Sequence, residues 1–157
     1  MRVAVVHQDV AEGASLDEQD TRLQGDAVES ILRGLGHETV RLGTSLDLAK
    51  LEAELKAARP DAVFNLVESL GGSDRLLFLA AAIYDSLGIP YTGSPTEALV
   101  VTSHKLMAKR QMLLADLPTA EWCASDDRAT GEAPPLLFPG RYIFKCVFEH
   151  GSWGMDE

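Results

Sequence analysis

Basic residues are scarce in this chain. Fourteen Lys and Arg against 24 Asp and Glu leave a formal net charge of −10, with a pI near 4.8. A surface of that sign repels a phosphate backbone, which excludes general nucleic-acid binding. Any other anionic ligand is repelled as well, so a site for one needs locally placed lysines or main-chain N–H groups. Cysteine is nearly absent: Cys123 and Cys146 lie far apart among apolar neighbours. They are expected to be buried reduced thiols, not a metal-ligand pair. Long apolar runs are missing too. The N-terminal stretch Met1 to His7 turns acidic by Asp9, too short for a signal-peptide core or a membrane span. A cytoplasmic protein is the resulting expectation. After Val6 the chain reads His7-Gln8-Asp9 where a dinucleotide-binding turn requires Gly-x-Gly-x-x-Gly, which excludes that fingerprint. Turn residues cluster only near 124–140, and 46% of the 157 residues are hydrophobic, so wholesale disorder is excluded.

What is present is an alternation of strand and helix signals. Val3 to Val6 is a continuous β-branched apolar run, suited to a strand buried on both faces. A polar stretch, His7 to Asp20, precedes a helix pattern in which Leu23, Ala27, Ile31 and Leu35 recur every fourth residue, flanked by Val28 and Leu32; Gly36 stops it. Glu38 to Leu42 alternates as a short strand. Asp47 caps a helix striped by Leu48, Leu51 and Leu55 and ending before Pro60. Ala62 to Val67 is a third strand. Gly71-Gly72-Ser73 leads into an apolar helix from Leu76 to Leu87, ended by Gly88, and Ile89 to Thr92 is a brief fourth strand. This order predicts a Rossmann-like α/β domain over residues 1–95: a parallel sheet with helices on both faces. Ligands in such sheets sit beyond the C-terminal strand ends. That places residues 7–20 and 68–74 at the functional rim.

After Pro95 the rhythm changes. Thr102 or Ser103 is placed to cap a helix from His104 to Ala115, which Pro118 terminates. Glu121 to Ala124 and Arg141 to Val147 read as strands, separated by an exposed loop over 125–135. His150-Gly151-Ser152-Trp153-Gly154 is a glycine turn close to the last residue. One helix and two strands offer little apolar surface for an independent domain. Residues 96–157 are therefore expected to be an incomplete α+β subdomain, truncated in or after that turn. The other reading is a small complete protein whose last segment packs on the first domain.

Five segments in register resemble the D-alanine–D-alanine ligase branch of the ATP-grasp superfamily. Leu87-Gly88-Ile89-Pro90-Tyr91-Thr92-Gly93-Ser94 is similar to that family's junction between its first and second domains. Ser103-His104-Lys105-Leu106-Met107-Ala108-Lys109 resembles its Asp-Lys-x-x-x-Lys helix start, and Leu117-Pro118-Thr119 its proline-containing exit. Tyr142-Ile143-Phe144-Lys145 resembles the strand with an ATP-contacting lysine, and Glu149-His150-Gly151-Ser152-Trp153-Gly154 the loop that closes over the phosphates. The resemblance implies an ATP-dependent carboxylate–amine ligase working through an acylphosphate. ATP would be held by Lys105, Lys145, Gly151, Ser152 and Gly154. Phosphoryl transfer depends mainly on positioning and charge neutralisation, which lysines and main-chain N–H groups supply. Mg²⁺ is implied as a second cofactor, with its ligands in the family's C-terminal part. Thus no metal ligand and no complete catalytic set is assigned in this chain. A small amino-acid or carboxylate substrate and a homodimer through the first domain are implied as partners.

The chain departs from the family at His104, where the family has Asp, and at His150 and Gly151 in the phosphate loop. It departs again after the third strand, at Asn65 to Ser69. These differences touch the amino-acid side more than the ATP side. Asp17, Glu18 and Glu68 are the substrate-binding candidates. The plain reading of Asp9, Glu12, Asp17, Glu18 and Asp20 is a solvated acidic loop before a helix, where negative charge is favourable. Glu68 equally suits a loop cap, His7 a satisfied strand-end histidine, Lys105 a solvated helix lysine, and Lys145 an exposed edge. The rival to the ligase is a non-catalytic Rossmann-like binding or interaction module lacking the catalytic half.

Overall fold

The computed structural model describes residues 1–10, 16–124 and 139–148, with the backbone alone for 16–19. Three strands form a parallel sheet in the order β2-β1-β3: β1 is Arg2–Gln8, β2 Glu38–Thr44 and β3 Ala62–Leu66. Arg2 is in register with Glu38, and Val3 with both Thr39 and Ala62. β1 is central, which is why Val3, Ala4, Val5 and Val6 are all buried. Ala4 and Val6 share one core with Leu51 and Leu55 of α2 (Leu48–Ala58) and with Ala80, Ala81 and Tyr84 of α3 (Phe78–Leu87). Alternation along the strand turns Val3 and Val5 to the opposite face, where α1 (Leu16–Gly34) packs on β1 and β2.

Local signals set the helix ends. Asp47 accepts a hydrogen bond from the Lys50 N–H at 3.1 Å, capping α2. Gly36, at φ 82°, closes α1: its N–H donates to Arg33 O and that of His37 to Leu32 O, the paired bonds of a Schellman turn.

The fourth strand contracts to a single parallel bridge between Val63 and Tyr91. Pro90 has no N–H to donate, although its carbonyl accepts from Val63 at 2.8 Å, and Gly93 at φ 103° turns the chain away. The stretches 121–124 and 141–147 are not strands either. A strand needs a hydrogen-bonded neighbour, and Ile143 and Phe144 lie open to solvent. The thiols are likewise more accessible than expected: Cys146 is exposed and Cys123 half-buried. Residues 96–114 hold two helices, α4 (Thr96–Thr102) and α5 (Lys105–Leu114). α4 was not predicted, and the cap of α5 is His104, not Thr102 or Ser103.

The largest departure concerns α1. Its apolar stripe faces solvent, with Leu23 65%, Ile31 63% and Leu35 68% exposed, whereas Thr21, Gly25 and Glu29 are buried. Arg41 of β2 explains the rotation. Its guanidinium crosses the helix at Gly25, where a Cβ would meet Nη2 at 1.6 Å. It donates to Arg22 O at 2.8 Å and pairs with Asp26 and Glu29. Arg33 holds the other Glu29 oxygen at 2.9 Å. Glycine inside a helix costs about 1 kcal/mol relative to alanine; here it makes room for that crossing. Arg41→Ala leaves Glu29 in a buried position with one partner and is expected to lower the unfolding free energy by about 1–2 kcal/mol in urea titrations. The double change Arg41→Met with Glu29→Leu is expected to recover most of that loss, because no charge then remains buried.

Candidate functional site at the strand ends and the start of α5

The C-terminal ends of the three strands converge on Gln8. Its Nε2 donates to Thr21 Oγ1 at 3.0 Å and its Oε1 accepts from the Glu68 N–H at 3.1 Å, so one side-chain amide ties α1 to the exit of β3. The sequence reading passed over Gln8. The signal was available: a strand-terminal amide at the rim that both donates and accepts. Glu68 itself is exposed, its main chain held by that bond. His7 is half-buried with Nδ1 2.7 Å from Gln8 O, a locally satisfied ring. Asp17 and Glu18 fall in the first turn of α1, and their side chains lie outside the described residues.

Beyond Glu68 the chain makes a tight turn. Leu70 and Ser73 exchange main-chain hydrogen bonds at 3.1 Å around Gly71 (φ 60°) and Gly72 (φ 74°). Two adjacent positive φ angles are what a type I′ turn demands, and glycine meets that demand without strain. Buried Leu70 anchors the turn, which delivers the short 3₁₀ segment Asp74–Leu76 to the rim.

The second element of the site is the start of α5. His104 has extended backbone, and its Nδ1 accepts from the Met107 N–H at 3.3 Å. The Lys105 N–H donates to Val147 O at 3.0 Å. Helix N-termini bind anions through unsatisfied N–H groups. Two of those groups, the N–H of Lys105 and of Met107, are taken internally here. Lys105 is half-buried and Lys145 exposed. Because Lys145 precedes Val147 by two residues, the Cα atoms of the two lysines lie at most about 14 Å apart by chain dimensions. That is within the combined reach of two lysine side chains toward one polyphosphate.

Lys109 has another role. Its ammonium donates to Thr119 Oγ1 at 2.9 Å and Ala120 O at 2.8 Å and sits 5.3 Å from the Trp122 ring centroid, pinning the segment that leaves α5. The Phe148 ring stands edge-on to His104 at 4.6 Å, and the Arg75 guanidinium lies 4.8 Å above it. Gly151, Ser152 and Gly154 lie outside the described residues. Among the described residues no group of three His, Cys, Asp or Glu is placed to hold a metal, and no helix is long and apolar enough to cross a membrane.

No protein-family model matches the chain. Curated relatives do. A D-alanine–D-alanine ligase of Gluconobacter oxydans is 32% identical over 156 residues, 99% of this chain and 48% of that protein. One from Moorella thermoacetica is 34% identical over 122 residues, 76% of this chain and 38% of that protein. The crystal structure of D-alanine–D-alanine ligase from Bacillus anthracis superposes with a TM-score of 0.60 at 23% identity, covering 78% of this chain and 37% of that one. The same enzyme complexed with ATP gives 0.59. The chain thus spans about half the length, or less, of the relatives it matches.

Proposed function

We propose, from the premise that this chain is the N-terminal portion of a D-alanine–D-alanine ligase-like ATP-grasp protein, that the full-length protein is an ATP-dependent carboxylate–amine ligase. It phosphorylates a carboxylate of a small amino-acid substrate, and an amine then displaces phosphate from the acylphosphate to form an amide. The observation that carries this reading is the hydrogen bond between the Lys105 N–H and Val147 O. It brings the two lysines of the ATP-grasp pattern into one neighbourhood within an anionic molecule.

Residues 1–95 form the Rossmann-like domain that presents Glu68, Asp17 and Glu18 to the amino-acid substrate. Residues 96–157 begin the nucleotide-binding subdomain, where Lys105, Lys145, Gly151, Ser152 and Gly154 hold ATP. Bound ATP supplies the γ-phosphoryl group. The chain's own residues neutralise its charge and orient it. Mg²⁺ accompanies ATP, held by oxygen ligands in the part of the family's length this chain does not span. The exposed stripe of Leu23 and Ile31 on α1, continued by Leu35 just past its end, suits a homodimer contact through the first domain. The protein acts in the cytoplasm.

The test is amino-acid-dependent ADP release. The full-length protein with ATP, Mg²⁺ and a panel of D- and L-amino acids is expected to release ADP and form a dipeptide. The 157-residue chain alone is expected to release none. A full-length protein that turns over no amino acid, or an isolated chain that turns over freely, contradicts the proposal and favours a binding module.

A further inference from the structure

We infer that Arg75, Phe148 and His104 form a positioning clasp that fixes Lys105 against the rim of the first domain; the inference rests on the ligase reading above. Three segments remote in sequence meet there. Arg75 sits on the 3₁₀ segment anchored by Leu70 and the glycine turn. His104 caps α5, and Phe148 follows the residue whose carbonyl accepts from Lys105. The Arg75 side chain lies over the Phe148 ring, and the ring edge meets His104. The negative face of an aromatic ring attracts a guanidinium, and edge-to-face rings attract each other. These contacts hold one strip of chain, Val147-Phe148, between the two parts of the protein.

The consequence concerns charge placement. The Lys105 and Met107 N–H groups are satisfied internally, and the position of α5 sets the range over which the Lys105 ammonium acts. A clasp that ties the first turn of α5 to the segment carrying Lys145 keeps the two cations in fixed relation. It also couples that pair to Arg75, on the substrate side of the rim. None of the three clasp residues needs to touch nucleotide; each acts through the geometry of Lys105.

Two measurements on the full-length protein test this: the ATP dissociation constant by calorimetry, and hydrogen exchange at the Lys105 and Met107 amides. Arg75→Ala and Phe148→Ala are each expected to weaken ATP binding about 3- to 10-fold and to speed exchange at the Lys105 amide. The double variant is expected to be no worse than Phe148→Ala, because Phe148→Ala already removes the Arg75 contact. Phe148→Trp, which keeps a ring face, is expected to restore affinity. His104→Asn keeps a cap acceptor but removes the ring, and should behave like Phe148→Ala. Arg75 is exposed, so its variant folds and separates positioning from folding. If Lys105→Ala loses ATP while the clasp variants bind it normally, the clasp is wrong and the ligase reading stands. If Lys105→Ala binds ATP unchanged, both fall.

Discussion

Replacing Lys105 by alanine in the full-length protein is expected to lower amino-acid-dependent ADP release by about 10²- to 10³-fold, the usual cost of deleting one preorganised charge-stabilising group. The reason lies in the charge of the chain. At a formal −10, its general field opposes a polyphosphate. The helix N-terminus at α5 gives limited help, since His104 and Val147 already occupy two of its N–H groups. Lys105 stands at the first position of the helix. Lys105→Arg is expected to retain part of the activity, because it keeps the charge but presents a planar fork in place of a compact cation. Lys109→Ala provides a second measurement. That ammonium holds Thr119, Ala120 and the Trp122 ring. Its loss is expected to lower stability by about 1 kcal/mol without a comparable fall in turnover. Steady-state kinetics with varied ATP, beside thermal melts of the same proteins, separates the two.

The second large effect is structural. Tyr84→Ala is expected to lower the unfolding free energy by about 3–5 kcal/mol, the range for emptying a buried aromatic site. Tyr84 is fully buried between the sheet and α2, its ring 5.3 Å from that of Tyr91 and its hydroxyl 3.3 Å from Asn65 Oδ1. Burial, and secondarily the charge of Tyr91, pushes its phenol well above the ordinary 10.0. The folded state then holds this proton more tightly than the unfolded chain. The stabilisation is fully present below pH 10.0 and falls as pH rises above it, by up to about 1.4 kcal/mol per pH unit. Tyr84→Phe is expected to remove that alkaline slope. At neutral pH it should cost only about 1 kcal/mol, since Asn65 Oδ1 still accepts from Val67 N–H. Urea titrations at pH 7 and at alkaline pH measure both. A Tyr84→Ala protein as stable as the parent contradicts the core described above.

Which parts of the fold were legible in the sequence follows from the range of the forces involved. The three strands, the Asp47 cap and the stops at Gly36 and Gly88 came from local signals: β-branched runs, an Asx cap, and glycines able to take positive φ. Those signals act within a turn of chain. The orientation of α1 was not legible, because period alone assigns the stripe of Leu23, Ile31 and Leu35 to the core. A residue on another element, Arg41, turns Glu29 and Gly25 inward instead. The short helix α4 hid behind the β-branched Val100, Val101 and Thr102. The reading of 141–147 as a strand followed propensity, which yields no strand without a neighbour. In the candidate site, Lys105 and Lys145 are named by resemblance alone. Gln8, Arg75 and Phe148 were not legible, because their partners are 13 to 73 residues away.

Two ammonium groups of this chain, those of Lys105 and Lys145, are expected to meet the phosphates of one nucleotide. A crystal structure of the full-length protein with a non-hydrolysable ATP analogue and Mg²⁺ tests it most directly. Both Nζ atoms are expected within about 2.7–2.9 Å of phosphate oxygens, the range of charge-assisted N–H···O bonds. A nucleotide bound elsewhere, with the two lysines turned to separate faces of the protein, contradicts the account.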